Sequence, residues 1–391
     1  VSASAALHTT ASGVRVVEPS GVTRTFGADV PVRVRARLAG MNPNYWYPAE
    51  WSDKVGRGQH VEVMFWGESI AVYRGHDGQA AAVENRCAHR QIKLTEGHVR
   101  GCNLVCLYHG WAYDRDGRLV QMQHDDFGRK LPVIQIRAYP VRERYGLLWI
   151  FPGDPALAAE VPLPEIDHAE GPDRWASLAF DYTWAAHHSM VIDNLCNLTH
   201  LYVHGNWVPY AETTLAHHAR EGDRIELRWH HTMRRDVFYP ITKRVFEQRP
   251  GSGVSDTAMV YDYPYQRALS NGRIRSCNFM LPIDAERTRV FSIQYWRGPR
   301  VPGLGRDLPA AVMDRVATPF IRPITQEIFR QDGATVEAEQ VALKTHWGRP
   351  IPEPNPAVRL FEQLTVDRWQ AHVDAREGEG APAVERRVKR L

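Results

Sequence analysis

Long apolar runs, a leader-like segment and any strong excess of one charge are all missing from these 391 residues. No stretch approaches the roughly 18 apolar residues that a membrane-spanning helix needs, so no membrane role is expected. The first residues, VSASAALHTTASGVRVVEPSG, are small and polar without an apolar segment; they do not read as a secretory signal. The net charge of +3 is too mild to point to nucleic acid, though it would suit docking of an acidic protein partner. There is no internal repeat and no low-complexity tract. No G-x-G-x-x-G follows a strand-like run, so reducing power must come from separate proteins. Cysteine is scarce, and its count of five is odd. That argues against a disulfide framework and for a reducing cytoplasmic setting.

What is present divides the chain by texture. Residues 1–43 read as an N-terminal arm. From 44 to 154 short alternating runs are joined by tight turns, as around Asp77-Gly78 and Asp116-Gly117, which predicts a small all-β domain. A stretch rich in Pro, Gly and acids follows. From 155 to 391 helical and strand patterns mix. WAAHHSMVIDNLCNLTHLYVH (184–204) lacks Pro and Gly and reads as one helix, and a second helical stretch covers roughly 309–343. RIELRWHHT, TAMVYDYPY, RIRSCNFMLPI and RVFSIQYWRG read as strands, the last two as a hairpin. The fold class is therefore α+β: a β domain, then an antiparallel sheet framed by helices.

The scarce cysteines are not spread evenly. Three of the five, with three histidines, lie between Cys87 and His109. Cys87-x-His89 is followed, after sixteen residues, by Cys106-x-x-His109. Each half offers one thiolate and one imidazole. A structural zinc site is one reading. The mixed order also suits a two-iron cluster with both thiolates on one iron and both imidazoles on the other. Cys102 and His98 fit neither loop; a small filler and a surface residue are expected there. Trp111 and Tyr113 could shield the cluster from water, or be plain core.

A second constellation lies downstream. His200 and His204 stand four apart, which on a helix places both rings on one face. Asp332 sits in FRQDGATVEAEQ. Two His and one carboxylate form the facial set of non-haem Fe(II) with open positions for dioxygen, but other acids lie nearby and spacing alone does not choose among them. His187 and His188 could reach a pocket or an interface, or sit in an ordinary amphipathic face. Phe279, Phe291, Tyr295 and Trp296 could line an apolar pocket, or be core. Cys196 reads as a buried filler.

Taken in order, Cys87-x-His89, Cys106-x-x-His109, DNLCNLTHLYVH and RQDGATVEAEQ resemble the α subunit of a Rieske non-haem iron oxygenase, over roughly residues 44–345. The resemblance implies a Rieske [2Fe-2S] cluster on Cys87, Cys106, His89 and His109. It implies a helix-grip catalytic domain with mononuclear Fe(II) on His200, His204 and Asp332. It implies an enzyme that oxidises a small organic substrate, aromatic or polycyclic, with O2. Electrons would come from a ferredoxin or an NAD(P)H-dependent reductase, and would cross between subunits of a homotrimer. A Rieske electron carrier without its own oxidation chemistry, or a zinc-stabilised binding module, are the alternatives.

Asn194 takes the first position of the family's Asn-x-x-Asp-x-x-His pattern. The chain departs from that pattern in several places. Three residues separate the two histidines rather than four, as in carbazole-type oxygenases. Gln91 stands where a Gly is usual, and Gly333 follows Asp332 where relatives commonly have Arg. Asn197 replaces the Asp that bridges the two metal sites across subunits; it could bridge through its amide, or Asp193 could take over.

Overall fold

The computed structural model describes residues 14–17, 23–26, 30–122, 131–236, 247, 251–299, 307–346 and 353–378. The α+β expectation holds. Besides a two-stranded ribbon of Val14–Val17 and Thr23–Phe26, three small antiparallel sheets occupy the first half. One orders Ala138–Tyr139, Ala80–Glu84, Glu68–Arg74 and His60–Phe65; another orders Leu119–Gln121, Ala112–Tyr113, Asn103–Val105 and His98–Arg100. The third sets Leu147–Ile150 between Val141–Arg144 and Tyr47–Trp51. The turns at Asp77-Gly78 and Asp116-Gly117 both carry a glycine at positive φ.

The second half is one seven-stranded antiparallel sheet. Its order is Ala176–Trp184, Arg287–Trp296, Ile274–Asp284, Tyr265–Ser270, Val254–Asp262, Arg224–Met233, Tyr210–Glu221. Its pattern is legible residue by residue. In Arg224–Met233 the side chains of Ile225, Leu227, Trp229, His231 and Met233 are buried, and those between them are exposed. That is the period of two that puts alternate side chains on opposite faces. The two halves share one core. Trp149 packs edge-on to Phe279 at 5.0 Å, and Trp51 to Phe291 at 5.4 Å. Phe279 and Phe291 are thus core side chains turned toward the first half, with 0% exposure each.

Six helices surround the sheet among the described residues: α1 (Val32–Ala36), α2 (His188–Cys196), α3 (Leu201–His204), α4 (Ala310–Val316), α5 (Thr318–His346) and α6 (Pro356–Gly378). Among the described residues, no helix is long and apolar enough to cross a membrane. The stretch expected as one helix over 184–204 is broken twice. Its first residue, Trp184, ends a strand paired with Arg287–Trp296. Asn197 then stops α2, with extended backbone at φ −101° and ψ 99°. The reason is local: the Asn197 Oδ1 accepts from Thr199 N at 3.1 Å and from Thr199 Oγ1 at 2.6 Å. This side-chain turn competes with helix continuation. Segment 30–43 carries α1, which packs on α6.

Candidate metal centres

The two cysteine loops are built alike. Cys87 O accepts from Gln91 N at 2.8 Å and Cys106 O from Gly110 N at 3.1 Å, so each loop closes on itself four residues on. Both closing residues are left-handed, Gln91 at φ 63° and Gly110 at φ 66°. A non-glycine residue at 91 therefore sits on a left-handed backbone that L side chains disfavour. Tyr113 Oη accepts from Ala88 N at 3.0 Å and lies 3.4 Å from Cys87 Sγ. The rings of His89 and His109 are 4.6 Å apart, and Trp111 stacks on His89 at 4.7 Å. Together Cys87, His89, Arg90, Ile92, Cys106, Tyr108 and His109 line a shallow open recess. Both thiols are buried while His89 is exposed.

These donors fit a two-iron cluster. Burial pushes the Cys106 thiol up, and the neighbouring Cys87 sulfur adds to it. Two buried sulfurs facing one another invite a cationic centre between them. A single zinc ion needs its ligands gathered at one point. Among the described residues the one group of three or more His, Cys, Asp or Glu gathered in that way is His200, His204 and Asp332. Cys102 is half-buried and lies outside the recess, and His98 is exposed on its strand.

The second centre forms where α3 meets α5. His200 is the residue before α3 and His204 its last. The ligand atoms of His200, His204 and Asp332 lie within 4.8 Å of one another. Asp332 Oδ1 is 3.2 Å from His200 Nε2 and 3.3 Å from His204 Nε2. Asn194 Nδ2 donates to the same oxygen at 3.3 Å. His204 Nδ1 is 3.1 Å from Gln331 Oε1, which turns Nε2 toward Asp332. Asp332 is buried, yet the two imidazoles hold its carboxyl below the usual range; the same contact raises His204. Two imidazoles and one carboxylate, with no thiolate, are the donor set of a non-haem iron site.

Other expected residues fall elsewhere. Asn197 Oδ1 also accepts from Asn355 Nδ2 at 3.0 Å, so its acceptor is engaged within the chain. Asp193 points inward, 2.7 Å from Arg37 Nη2. His187 and His188 are fully interior; His188 Nε2 is 2.7 Å from Ala39 O. Tyr295 and Trp296 are buried, as is Cys196. Gln331 escaped sequence reading, although its place next to Asp332 on a helix was a usable signal. Gly333 has a packing reason: a Cβ there would lie 2.4 Å from Trp184 Nε1.

Residues 45–135 match the Rieske [2Fe-2S] domain, and residues 184–363 match the vanillate O-demethylase oxygenase C-terminal domain. The 4β-methylsterol monooxygenase of Methylococcus capsulatus (strain Bath) is 35% identical over 90% of this chain and 95% of its own length. The chain belongs to the Rieske oxygenases. This Rieske oxygenase is also similar to a vanillate O-demethylase oxygenase subunit of a Pseudomonas strain, 38% identical over 41% of the chain and 49% of the relative. Its fold is that of dicamba monooxygenase bound to 3,6-dichlorosalicylic acid, with TM-score 0.68 at 20% identity, covering 86% of this chain and 99% of that one. The terminal oxygenase of carbazole 1,9a-dioxygenase from Nocardioides aromaticivorans aligns with TM-score 0.61 at 19% identity, over 87% and 97% of the two chains. The Rieske oxygenase is thus an oxygenase component with a Rieske cluster and a mononuclear iron.

Proposed function

We propose that Cys87 and Cys106 hold one iron of the Rieske cluster and His89 and His109 the other, and that His200, His204 and Asp332 hold the mononuclear iron. The single observation that supports this most is the meeting of two imidazole Nε2 atoms and one carboxylate oxygen, from α3 and α5, in a chain that also carries the paired cysteine loops. When bound, the mononuclear iron supplies dioxygen activation for attack on a C–H bond or ring. The chain's own residues hold the geometry. Asn194 fixes the Asp332 carboxylate, Gln331 sets the His204 tautomer, and Tyr113 and Trp111 cover the cluster loops.

The substrate we propose is a methylated polycycle of the sterol class. The relative that spans nine-tenths of this chain acts, by its name, on a 4β-methylsterol, whereas the vanillate relative aligns over only 41%. Electrons would arrive from a ferredoxin or an NAD(P)H-dependent reductase. A homotrimer would bring the exposed His89 edge of one subunit to the iron site of the next, with Asn197 on that path through its free Nδ2. The chain would work in the cytoplasm, with a Rieske domain over 44–154, a catalytic domain over 155–391 and an arm over 1–43.

The test is turnover by the purified, iron-loaded protein with a surrogate reductase and O2, on 4-methylsterols and simple aromatic acids. Oxygenated sterol detected by mass spectrometry supports the reading. Oxidised aromatic acids beside untouched sterols would transfer the substrate class to aromatics.

A further inference from the structure

Behind the iron site lies a buried cluster of charge that no step above uses. Arg37, from the segment ahead of the first β domain, reaches into it with a side chain only 1% exposed. Its Nη2 lies 2.7 Å from Asp193 Oδ2 on α2 and 3.0 Å from Glu339 Oε1 on α5, and its Nη1 donates to Ser189 Oγ at 2.9 Å. We infer that Arg37 is a positioning residue: it clamps α2 to α5 and so sets the separation of the groups that hold the mononuclear iron. The inference rests on the ligand set proposed above.

The geometry supports it at both ends of the clamp. Ser189 and Asp193 are one turn apart on the same face of α2. The next residue, Asn194, bonds Asp332 Oδ1. Glu339 follows Asp332 by seven residues, nearly two turns, and so lies close to the same side of α5. A rotation of either helix would therefore move both the Arg37 contacts and the Asn194–Asp332 contact. A planar guanidinium presents donors in a fixed fork, and can span two helices at a set distance as a lysine cannot. Ala185 N and His187 N, just ahead of α2, donate to the α5 side-chain oxygens Glu337 Oε1 and Gln340 Oε1, each at 2.9 Å, so the entry to α2 is tied to α5 while the clamp holds the body of α2. Arg33 braces the cluster from the next turn, 3.3 Å from Glu339 and 3.6 Å from Glu362.

The test compares Arg37→Met, Arg37→Lys and Glu339→Gln in the full chain. The readouts are Fe(II) affinity of the second site, the electron paramagnetic resonance spectrum of its nitric oxide complex, the Rieske absorption and the melting temperature. Arg37→Met is expected to weaken Fe(II) binding about 10-fold and alter the nitric oxide spectrum, with the Rieske absorption unchanged. Arg37→Lys, with charge but no fork, should recover less than half of the loss, and Glu339→Gln should lose a few-fold. A lowered melting temperature with unchanged iron affinity and spectrum would mean a purely structural pair, and overturns the inference. If Arg37→Met does not fold, Glu339→Gln decides alone, by the same readouts. Asp332→Ala separates the two claims. Iron binding that survives it overturns the ligand set. Iron binding lost in it, but unchanged in Arg37→Met and Glu339→Gln, overturns the clamp alone.

Discussion

Asn194 Nδ2 and the two imidazoles of His200 and His204 converge on one atom, the Asp332 Oδ1. The amide therefore orients the one anionic group of the iron site. Asn194→Ala is expected to weaken ferrous iron binding about 10-fold. Asp332→Ala should remove it, and turnover with it. Both variants should keep the Rieske absorption. Metal analysis after chelation and reloading checks this, and full iron occupancy in Asp332→Ala would assign the site to another carboxylate.

The Gln91 loop is open to improvement. A non-glycine residue at φ 63° costs about 1 kcal/mol, and the matching place in the other loop is already glycine. Gln91→Gly should slow loss of the cluster in denaturant, read as bleaching of the visible spectrum. Cys106→Ser should bleach it outright while leaving the second site able to take iron.

Gly333→Ala tests the contact between α5 and Trp184. Alanine favours a helix over glycine by about 1 kcal/mol. Here its Cβ would collide with the Trp184 ring at 2.4–2.7 Å. Overpacking costs about 1–3 kcal/mol, so the net change should be destabilising. Urea unfolding gives the sign; a more stable variant would show that α5 shifts freely.

Burial drives the His188 imidazole down to about 3 and His187 well below its usual value. The unfolded chain takes up a proton on each near pH 6.5, whereas the folded chain refuses it. Their contribution is fully present above pH 6.5 and is lost as pH falls toward 3. Each costs about 1.4 kcal/mol per pH unit in that window. His188→Gln keeps a donor for Ala39 O and cannot titrate. It should flatten the fall of stability between pH 6.5 and 5, measured by urea unfolding.

Asn197 is held by Thr199 and Asn355 within its own chain. Asn197→Asp keeps an acceptor for all of them and should be tolerated, with cluster reoxidation becoming more pH-dependent. Asn197→Ala should slow single-turnover reoxidation of the reduced cluster. An unchanged rate would leave Asn197 a turn residue alone.

Some of this protein could be read before any coordinates. Donor chemistry is local: Cys87-x-His89 and Cys106-x-x-His109 announce a metal cluster because such residues are costly to place together without one. Strand alternation in Arg224–Met233 is local in the same way, whereas the helical stretch expected over roughly 309–343 divides at Ala317 into α4 and α5. C-terminal α6 was there to be seen in the spacing of Val358, Phe361 and Leu364, with Pro356 at its start.

Other features depended on residues far apart in sequence. Asn197 breaks a helix that composition alone favours, because its side chain finds Thr199 and Asn355, the latter 158 residues away. Asp332 is one of several acids in its stretch, and only the crossing of α3 and α5 brings it rather than Glu337 to the histidines; Glu337 instead accepts from Ala185 N. Arg37 carries no motif at all, and its partners lie 156 and 302 residues on in the chain. The sequence by itself determined which donors exist and which runs, such as Arg224–Met233, alternate as strands, because those follow from neighbours within a few residues. Only the tertiary structure decided which acid meets the histidines and what holds the helices beneath them, because each depends on side chains that become neighbours only after the sheet and helices have packed.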